Sequence, residues 1–176
     1  LYEASKRLQR EVEIQRCLVD TKNASYSPSW QTYASEQILA EIETIFRNHP
    51  LKAERSISYR NNCTGITIKS DLSLITRVVS NMIINALEAS ESSNTILVKS
   101  ELVNSSIIFS VWNPQAIPQE MTKRIFSRNF STKSGDGRGV GTFSMKLFGE
   151  KYLGGRVDFD TSPAGGTTFR LTLPLT

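Results

Sequence analysis

Residues 71–90, DLSLITRVVSNMIINALEAS, carry the pattern that decides the fold. Asp71 is a favourable residue at a helix N-cap, and the residues after it repeat apolar side chains at helical spacing. The apolar stripe consists of Ile75, Val78, Val79, Met82, Ile83 and Ala86. The pattern predicts one long helix over residues 71–90 that buries this stripe in the core of the domain.

A second face of the same helix is polar. Asn81, Asn85 and Glu88 stand at i, i+4 and i+7 and share this face, while Ile84 and Leu87 make the rest of the circumference apolar. Amide oxygens one turn apart can coordinate a hard cation, and amide N–H groups can bind phosphate oxygens. The face is therefore a candidate cation and phosphate site, and a simple solvated polar face is the alternative.

A glycine run precedes the next helical pattern. In residues 135–141, GDGRGVG, glycine occupies every second position, and residues 140–153 then repeat apolar side chains at helical spacing. Glycines allow close approach of the backbone to phosphates, and N–H groups at a helix start point towards an anion. The run matches neither the P-loop nor the dinucleotide fingerprint. A flexible surface loop remains the alternative.

The positive charge of the chain is concentrated around this run. The net charge is +4 over 176 residues, and the window from Glu120 to Lys151 holds seven basic and three acidic side chains, which accounts for all of it. Such a local field suits a polyanion like a nucleoside triphosphate. No nucleic-acid motif accompanies it, so we expect no nucleic-acid partner. No apolar run approaches the roughly 20 residues of a spanning helix.

Helix and strand patterns are interspersed along the rest of the chain, which predicts an α+β layer sandwich. Residues 1–22 show an imperfect heptad seam that implies a partner helix, and residues 23–30 form a linker with Pro28. A second helix is expected over residues 33–48, with Ile38, Leu39, Ile42, Ile45 and Phe46 on one stripe. A short helix is expected over residues 119–126. Strands are expected at 56–60, 65–70, 95–103, 106–112, 155–162 and 166–174.

Four segments occur in an order that resembles the catalytic ATP-binding domain of sensor histidine kinases. NMIINALEAS resembles their N box, IFSRNFSTK their F box, GRGVGTFSMK their G2 box, and GGTTFRLTLP their closing strand. The resemblance implies the GHKL (Bergerat, HATPase_c) sandwich, a mixed and mostly antiparallel sheet covered by helices. It also implies two parts: residues 1–30, the end of a dimerisation helix outside the domain plus a linker, and residues 31–176, the catalytic domain.

The resemblance assigns roles to individual residues. Asn85 matches the magnesium-binding asparagine and Asn81 its partner near the phosphates, and we expect both to act in catalysis. Phe126 and Phe130 match the aromatics that anchor a lid over about residues 127–140. Further nucleotide contacts are expected from Glu88, Lys133, Gly137, Arg138, Gly139, Val140, Gly141 and Thr168. The cofactors implied are ATP and Mg²⁺.

The G1 box departs from the family pattern. The family has D-x-G-x-G, whose aspartate accepts from the adenine amino group, whereas residues 110–118, SVWNPQAIP, place Asn113 there and Gln115 at a glycine. The segment is also one residue shorter. Asparagine still offers a carbonyl acceptor, but a neutral hydrogen bond is about half as strong as a charge-assisted one. Adenine binding by Asn113 and Gln115 is thus expected to be weaker, and a plain strand end and turn is the alternative.

Several functions remain open for such a domain. ATP-hydrolysing relatives place a glutamate general base where this chain has Asn81, which favours phosphoryl transfer to a histidine outside the chain. His49 lacks the acidic neighbour of a phosphoacceptor motif, and we expect a structural or surface role for it. The alternatives are a degenerate module that dimerises and binds partners without turnover, and a serine kinase of the anti-sigma type.

The resemblance also implies partners and a location. The partners expected are the dimerisation and phosphoacceptor helices of the same protein and a response regulator receiver domain. The full-length protein is expected to be a homodimer. The domain is expected in the cytoplasm, with any membrane anchor elsewhere in that protein.

Overall fold

The computed structural model describes residues 12, 15–16, 18, 26–52, 55–127 and 141–175. In these ranges the strands are β1 Gln31–Ala34, β2 Ser56–Asn62, β3 Thr67–Ser70, β4 Thr95–Val103, β5 Ser106–Asn113, β6 Arg156–Ser162 and β7 Gly166–Pro174. The helices are α1 Ser35–Phe46, α2 Leu72–Ala89, α3 Gln119–Thr122 and α4 Gly141–Lys146, with a 3-10 turn at Pro50–Lys52 and a π-helical turn at Leu147–Tyr152. Among the described helices, none combines the length and the apolar character that crossing a bilayer requires.

The main sheet has the order β2-β4-β5-β7-β6, in which β2 and β4 run parallel and all other neighbours antiparallel. Strands β1 and β3 form a separate antiparallel pair. Helix α2 contacts α1, α4 and the strands β4, β5 and β7. The predicted α+β sandwich with a mixed, mostly antiparallel sheet is confirmed.

Helix α2 forms as predicted and lies at the centre of the core. Asp71 Oδ1 accepts the Leu74 N–H at 3.1 Å, which caps the first turn. Every residue of the predicted stripe is 3% exposed or less. The stripe packs on the inner face of the sheet, where Phe109, Val111 and Leu171 are also buried. Because this face is fixed by packing, the orientation of the asparagine face is fixed with it.

Two expectations about the first part of the domain need correction. Ile45 is 44% exposed, because it lies at the edge of the α1 stripe whose other members are buried. The strand β1 begins directly after the predicted linker and includes residues 33 and 34, which are predicted as the start of the helix. The predicted strands at 56–60 and 65–70 both form, but they join different sheets, because β2 pairs with β4 and β3 pairs with β1.

The helix after the glycine run ends in a π-helical turn. The Leu153 N–H donates to Phe148 O at 3.0 Å, five residues back. A Cβ atom on Gly149 would collide with Val157 and lie at 3.0 Å from Leu171, so the turn packs directly on the sheet there. A glycine directly after the helical pattern of residues 140–153 is typical of a helix end, and Gly154, at φ +68°, reverses the chain there.

The segment before β1 is attached to the N-cap of α2. Tyr26 is 4% exposed and its hydroxyl donates to Asp71 Oδ2 at 2.8 Å, while the Ser29 N–H donates to the same oxygen at 2.7 Å. Most of the predicted heptad helix lies outside the described residues, but Leu18 is helical and 7% exposed. The boundary between residues 30 and 31 therefore stays a prediction.

Candidate nucleotide-binding site

The asparagine face of α2 lies against the first turn of α4. Asn81 Nδ2 donates to Ser144 Oγ at 2.8 Å, and the Ser144 hydroxyl donates to Gly141 O at 2.7 Å. Because the single Ser144 proton is used on Gly141, its oxygen can only accept from Asn81. The amide group of Asn81 is therefore held as a donor towards α4, and its oxygen faces the other way.

Asn85 lies next to the same turn. Its Oδ1 atom would be 3.8 Å from a Cβ atom placed on Gly141. The side chain is half-buried and makes no hydrogen bond to any described residue. Glu88 lies one turn further along α2 and is exposed. The structure thus brings Asn81, Asn85 and Gly141 together, with Glu88 at the rim.

Replacing Ser144 by alanine is expected to lower the free energy of unfolding by about 1–3 kcal/mol, because it leaves the Asn81 amide and the Gly141 carbonyl unpaired in a mostly buried place. Urea unfolding of the two proteins measures this. Ser80→Ala on the same helix is the control, since Ser80 makes no side-chain hydrogen bond in the described part of the chain. Equal unfolding midpoints for the two variants would contradict the Asn81–Ser144–Gly141 chain.

The G1 segment follows the end of β5, and Asn113 is only 3% exposed there. Asn113 Nδ2 lies 3.3 Å from both Gln115 O and Gln115 Oε1 and donates to them. The Thr167 hydroxyl also donates to Gln115 O, at 2.8 Å. Gly166, at φ +70°, has no room for a Cβ atom because Asn113 O and Pro114 occupy that place. The short G1 segment is therefore folded tightly against the start of β7.

Gln115 connects this segment to the loop after α2. Its Nε2 atom donates to Asn94 Oδ1 at 2.8 Å. Asn94 Oδ1 also accepts the Glu91 N–H at 3.0 Å. Asn94 was missed at the sequence level, because nothing local marks an asparagine whose partner is 21 residues away in the chain.

Thr168 does not lie with the other predicted residues. It stands opposite Trp112 on the outer face of the sheet, whereas Thr167 stands opposite Asn113 on the inner face. Successive side chains of a strand point to opposite faces, so only one of the two threonines can reach the site. Thr167, which is 2% exposed, is the one that lies beside Asn113. The sequence signal that could have identified Thr167 is the alternation of apolar and polar residues along β7, which places Thr167 on the same face as the buried Phe169 and Leu171.

Phe126 is anchored where the predicted lid begins. Its ring makes edge contacts with Phe159 at 5.7 Å and Phe169 at 6.2 Å between centroids, and Lys146 Nζ lies 5.2 Å from its centre. The remaining residues predicted for the lid and the glycine run lie outside the described residues. These are Phe130, Lys133, Gly137, Arg138, Gly139 and Val140.

The donor set fits a magnesium ion that is carried by phosphates. In the part of the chain that the structure describes, no group of three or more His, Cys, Asp or Glu residues can hold a metal by itself. Asn85 Oδ1 offers one neutral oxygen. Mg²⁺ commonly keeps several waters and takes one or two protein oxygens plus substrate phosphates, so a single amide ligand is sufficient.

Comparison with known proteins agrees with this geometry. The family model described as histidine kinase-, DNA gyrase B-, and HSP90-like ATPase matches residues 70–176, more than half of the chain. A probable C4-dicarboxylate sensor kinase of Halalkalibacterium halodurans is 31% identical over 143 residues, which are 78% of this chain and 24% of that protein. The sensor protein KdpD of Clostridium acetobutylicum is 28% identical over 149 residues, 79% of this chain and 16% of that protein. The chain thus spans about a quarter or less of these relatives.

Solved structures show the same fold. The catalytic domain of the histidine kinase ThkA superimposes with a TM-score of 0.74 at 25% identity, covering 84% of this chain and 97% of that one. Full-length ShkA in complex with AMPPNP gives a TM-score of 0.80 at 19% identity, covering 99% of this chain and 37% of that one. The resemblance drawn from the four sequence boxes is confirmed, and the chain belongs to the family of histidine kinase-, DNA gyrase B- and HSP90-like ATPases.

Proposed function

We propose that this chain is the ATP-binding catalytic domain of a two-component sensor histidine kinase and that it presents the γ-phosphate of ATP to a histidine outside the chain. Family membership and the two sensor-kinase relatives support this assignment. The observation that carries kinase rather than hydrolase chemistry is the state of Asn81. The side-chain amide of Asn81 donates an N–H to Ser144 at 2.8 Å, and an amide in this state cannot act as the general base that takes a proton from an attacking water.

Different residues of the site bind different parts of the nucleotide. Asn113 and Thr167 bind the base, Asn85 binds the magnesium ion, and Asn81 and Gly141 lie beside the phosphates. When bound, the ion neutralises charge on the phosphate oxygens. Lys133 and Arg138 meet phosphate oxygens from the lid, as the family resemblance implies. The protein contributes positioning and charge stabilisation, which is what phosphoryl transfer chiefly requires.

The partners follow from the same assignment. The acceptor histidine lies on the dimerisation helices of the full-length protein. These helices and the catalytic domain form a homodimer in the cytoplasm. A response regulator receives the phosphoryl group. One neighbour with the same fold, ThkA, was solved in complex with its response regulator protein TrrA, and it superimposes with a TM-score of 0.74.

His49 is expected to stay unphosphorylated when the chain is incubated with labelled ATP and magnesium. Its Nδ1 atom accepts the Leu51 N–H at 3.3 Å, and its ring lies 5.0 Å from that of Phe46. Phosphopeptide analysis after incubation checks this, and calorimetric titration of the same sample with ATP checks binding. Phosphate on His49 would refute an external acceptor. Absence of binding at millimolar ATP would favour the module without turnover.

A further inference from the structure

We propose that Gln115 and Asn94 form an amide relay that fixes the Asn113 side chain with its carbonyl oxygen towards the nucleotide, which selects a purine with a 6-amino group over one with a 6-oxo group. The inference rests on the proposed function in one respect, that the base of the nucleotide lies at Asn113. Gln115 and Asn94 act as positioning residues, since they work through Asn113.

The relay begins at a group whose chemistry is unambiguous. The Glu91 backbone N–H can only donate, and it lies 3.0 Å from one terminal atom of the Asn94 side chain. That atom must be the oxygen. The turn is closed from the other side as well, since the Asn94 N–H donates to Glu91 O at 3.3 Å. The orientation of the Asn94 amide is therefore set by the backbone.

The next amide follows from the first. The Gln115 side chain lies 2.8 Å from Asn94 Oδ1, so the atom that faces this oxygen must be the nitrogen Nε2. The oxygen Oε1 is then turned to the other side, towards Asn113. A reversed Gln115 would place two oxygens in contact and leave neither with a proton.

The last amide is fixed twice. One terminal atom of Asn113 lies 3.3 Å from Gln115 Oε1 and also 3.3 Å from the backbone oxygen of Gln115, which can only accept. This atom must be the nitrogen Nδ2. Asn113 is 3% exposed, so a reversed amide would hold its oxygen against two others with little water to compensate.

The remaining atom, Asn113 Oδ1, is the one left for a ligand. It accepts no hydrogen bond from the residues that the structure describes. It is also not one of the enclosed side-chain atoms without a partner. A carbonyl oxygen accepts from an exocyclic amino group and repels an exocyclic oxygen. An asparagine side chain that was free to rotate could present its oxygen to a 6-amino group or its NH₂ group to a 6-oxo group, and it would then bind both kinds of base equally well.

The relay also explains why an amide stands where the family has a carboxylate. An aspartate at position 113 would place an oxygen against Gln115 O and Gln115 Oε1, where the structure has a donor. Asn113 and Gln115 are therefore matched to each other. Restoring the aspartate of the family should weaken the site as long as Gln115 is present.

The test compares ATP with inosine triphosphate, which differs at the purine 6-position, by titration of the chain in the presence of magnesium. We expect the wild-type chain to prefer ATP by about 10- to 100-fold. Gln115→Leu keeps the bulk and removes the Oε1 contact, while the backbone contact of Asn113 Nδ2 stays, so the preference should fall by about threefold or more without vanishing. Gln119→Leu, at an exposed site on α3, is the matched control and should keep it. A wild-type preference retained in Gln115→Leu overturns the inference.

Two further measurements complete the test. Asn113→Asp is expected to weaken ATP binding about tenfold. Adding Gln115→Gly removes the Oε1 contact but leaves the backbone oxygen, so it should recover part of the loss. No loss in the single variant contradicts the relay. If the wild-type chain binds neither nucleotide, the proposed function fails, and NMR then judges the relay alone. The side-chain NH₂ protons of Asn113 should exchange with water more slowly than those of the exposed Asn104, and Gln115→Leu should reduce this difference. Equal exchange in the wild-type chain overturns the relay.

Discussion

Asn85→Ala should abolish the magnesium-dependent part of ATP affinity. Asn85 Oδ1 faces the first turn of α4 beside Gly141 and makes no hydrogen bond to a described residue, so its loss removes a ligand and disturbs no internal contact. With magnesium present, affinity should fall by about 10- to 100-fold, towards the value measured with a chelator. Calorimetric titration with ATP, with and without magnesium, measures both numbers.

The specificity of this loss is checked in two ways. The thermal midpoint of Asn85→Ala should match that of the wild-type chain, since the side chain is not part of the packed core. Asn62→Ala, at an exposed position on β2, is the matched control and should keep full magnesium dependence. Persistent magnesium dependence in Asn85→Ala would show that the ion is held elsewhere.

Asp71→Ala should lower the free energy of unfolding by about 3–5 kcal/mol. The carboxylate is fully buried and accepts three hydrogen bonds, from the Leu74 N–H at 3.1 Å, the Tyr26 hydroxyl at 2.8 Å and the Ser29 N–H at 2.7 Å. Its removal uncaps α2 and leaves all three donors without an acceptor. Urea denaturation followed by circular dichroism gives the difference.

Tyr26→Phe separates the two roles of Asp71. This variant removes only the hydroxyl, so it should cost about 1–2 kcal/mol and leave the cap of α2 intact. A loss of less than 1 kcal/mol in Asp71→Ala would show that the three hydrogen bonds contribute little to folding. A loss as large in Tyr26→Phe as in Asp71→Ala would place the stabilisation in the segment before β1 rather than in the helix cap.

The elements with a strong local signal were predictable. The α2 stripe, the Asp71 cap, the β4–β5 and β6–β7 hairpins and the reversal at Gly154 all follow from residues that are near neighbours in the chain. For such elements, hydrophobic periodicity, helix caps and turn residues predict the local structure directly. The order of four boxes added the fold, and the match to the family model confirms it.

The site itself was predictable only in part. The spacing of Asn81 and Asn85 placed them on one helix face, and the family resemblance implied that Gly141 lies with them near the phosphates. That Ser144 holds the Asn81 amide required the packing of α4 on α2, which joins residues 63 positions apart. The position of Thr168 is a similar case. Strand alternation places it on the other face of the sheet from Asn113, but this is known only once the register of β7 with β5 is known.

The sequence by itself determined the long helix α2, the hairpins and, through the order of its four boxes, the family of the domain. The helix and the hairpins depend on contacts between residues a few positions apart, while the helix expected over residues 119–126 spans only Gln119–Thr122. Tertiary structure alone decided that Thr167 rather than Thr168 lies beside Asn113, that β1 and β3 form a sheet of their own, and that Asn94 is linked to Asn113 through Gln115. These features depend on strand register and on hydrogen bonds between distant loops. Such pairings are chosen by the packing of the whole core, and no short segment encodes them.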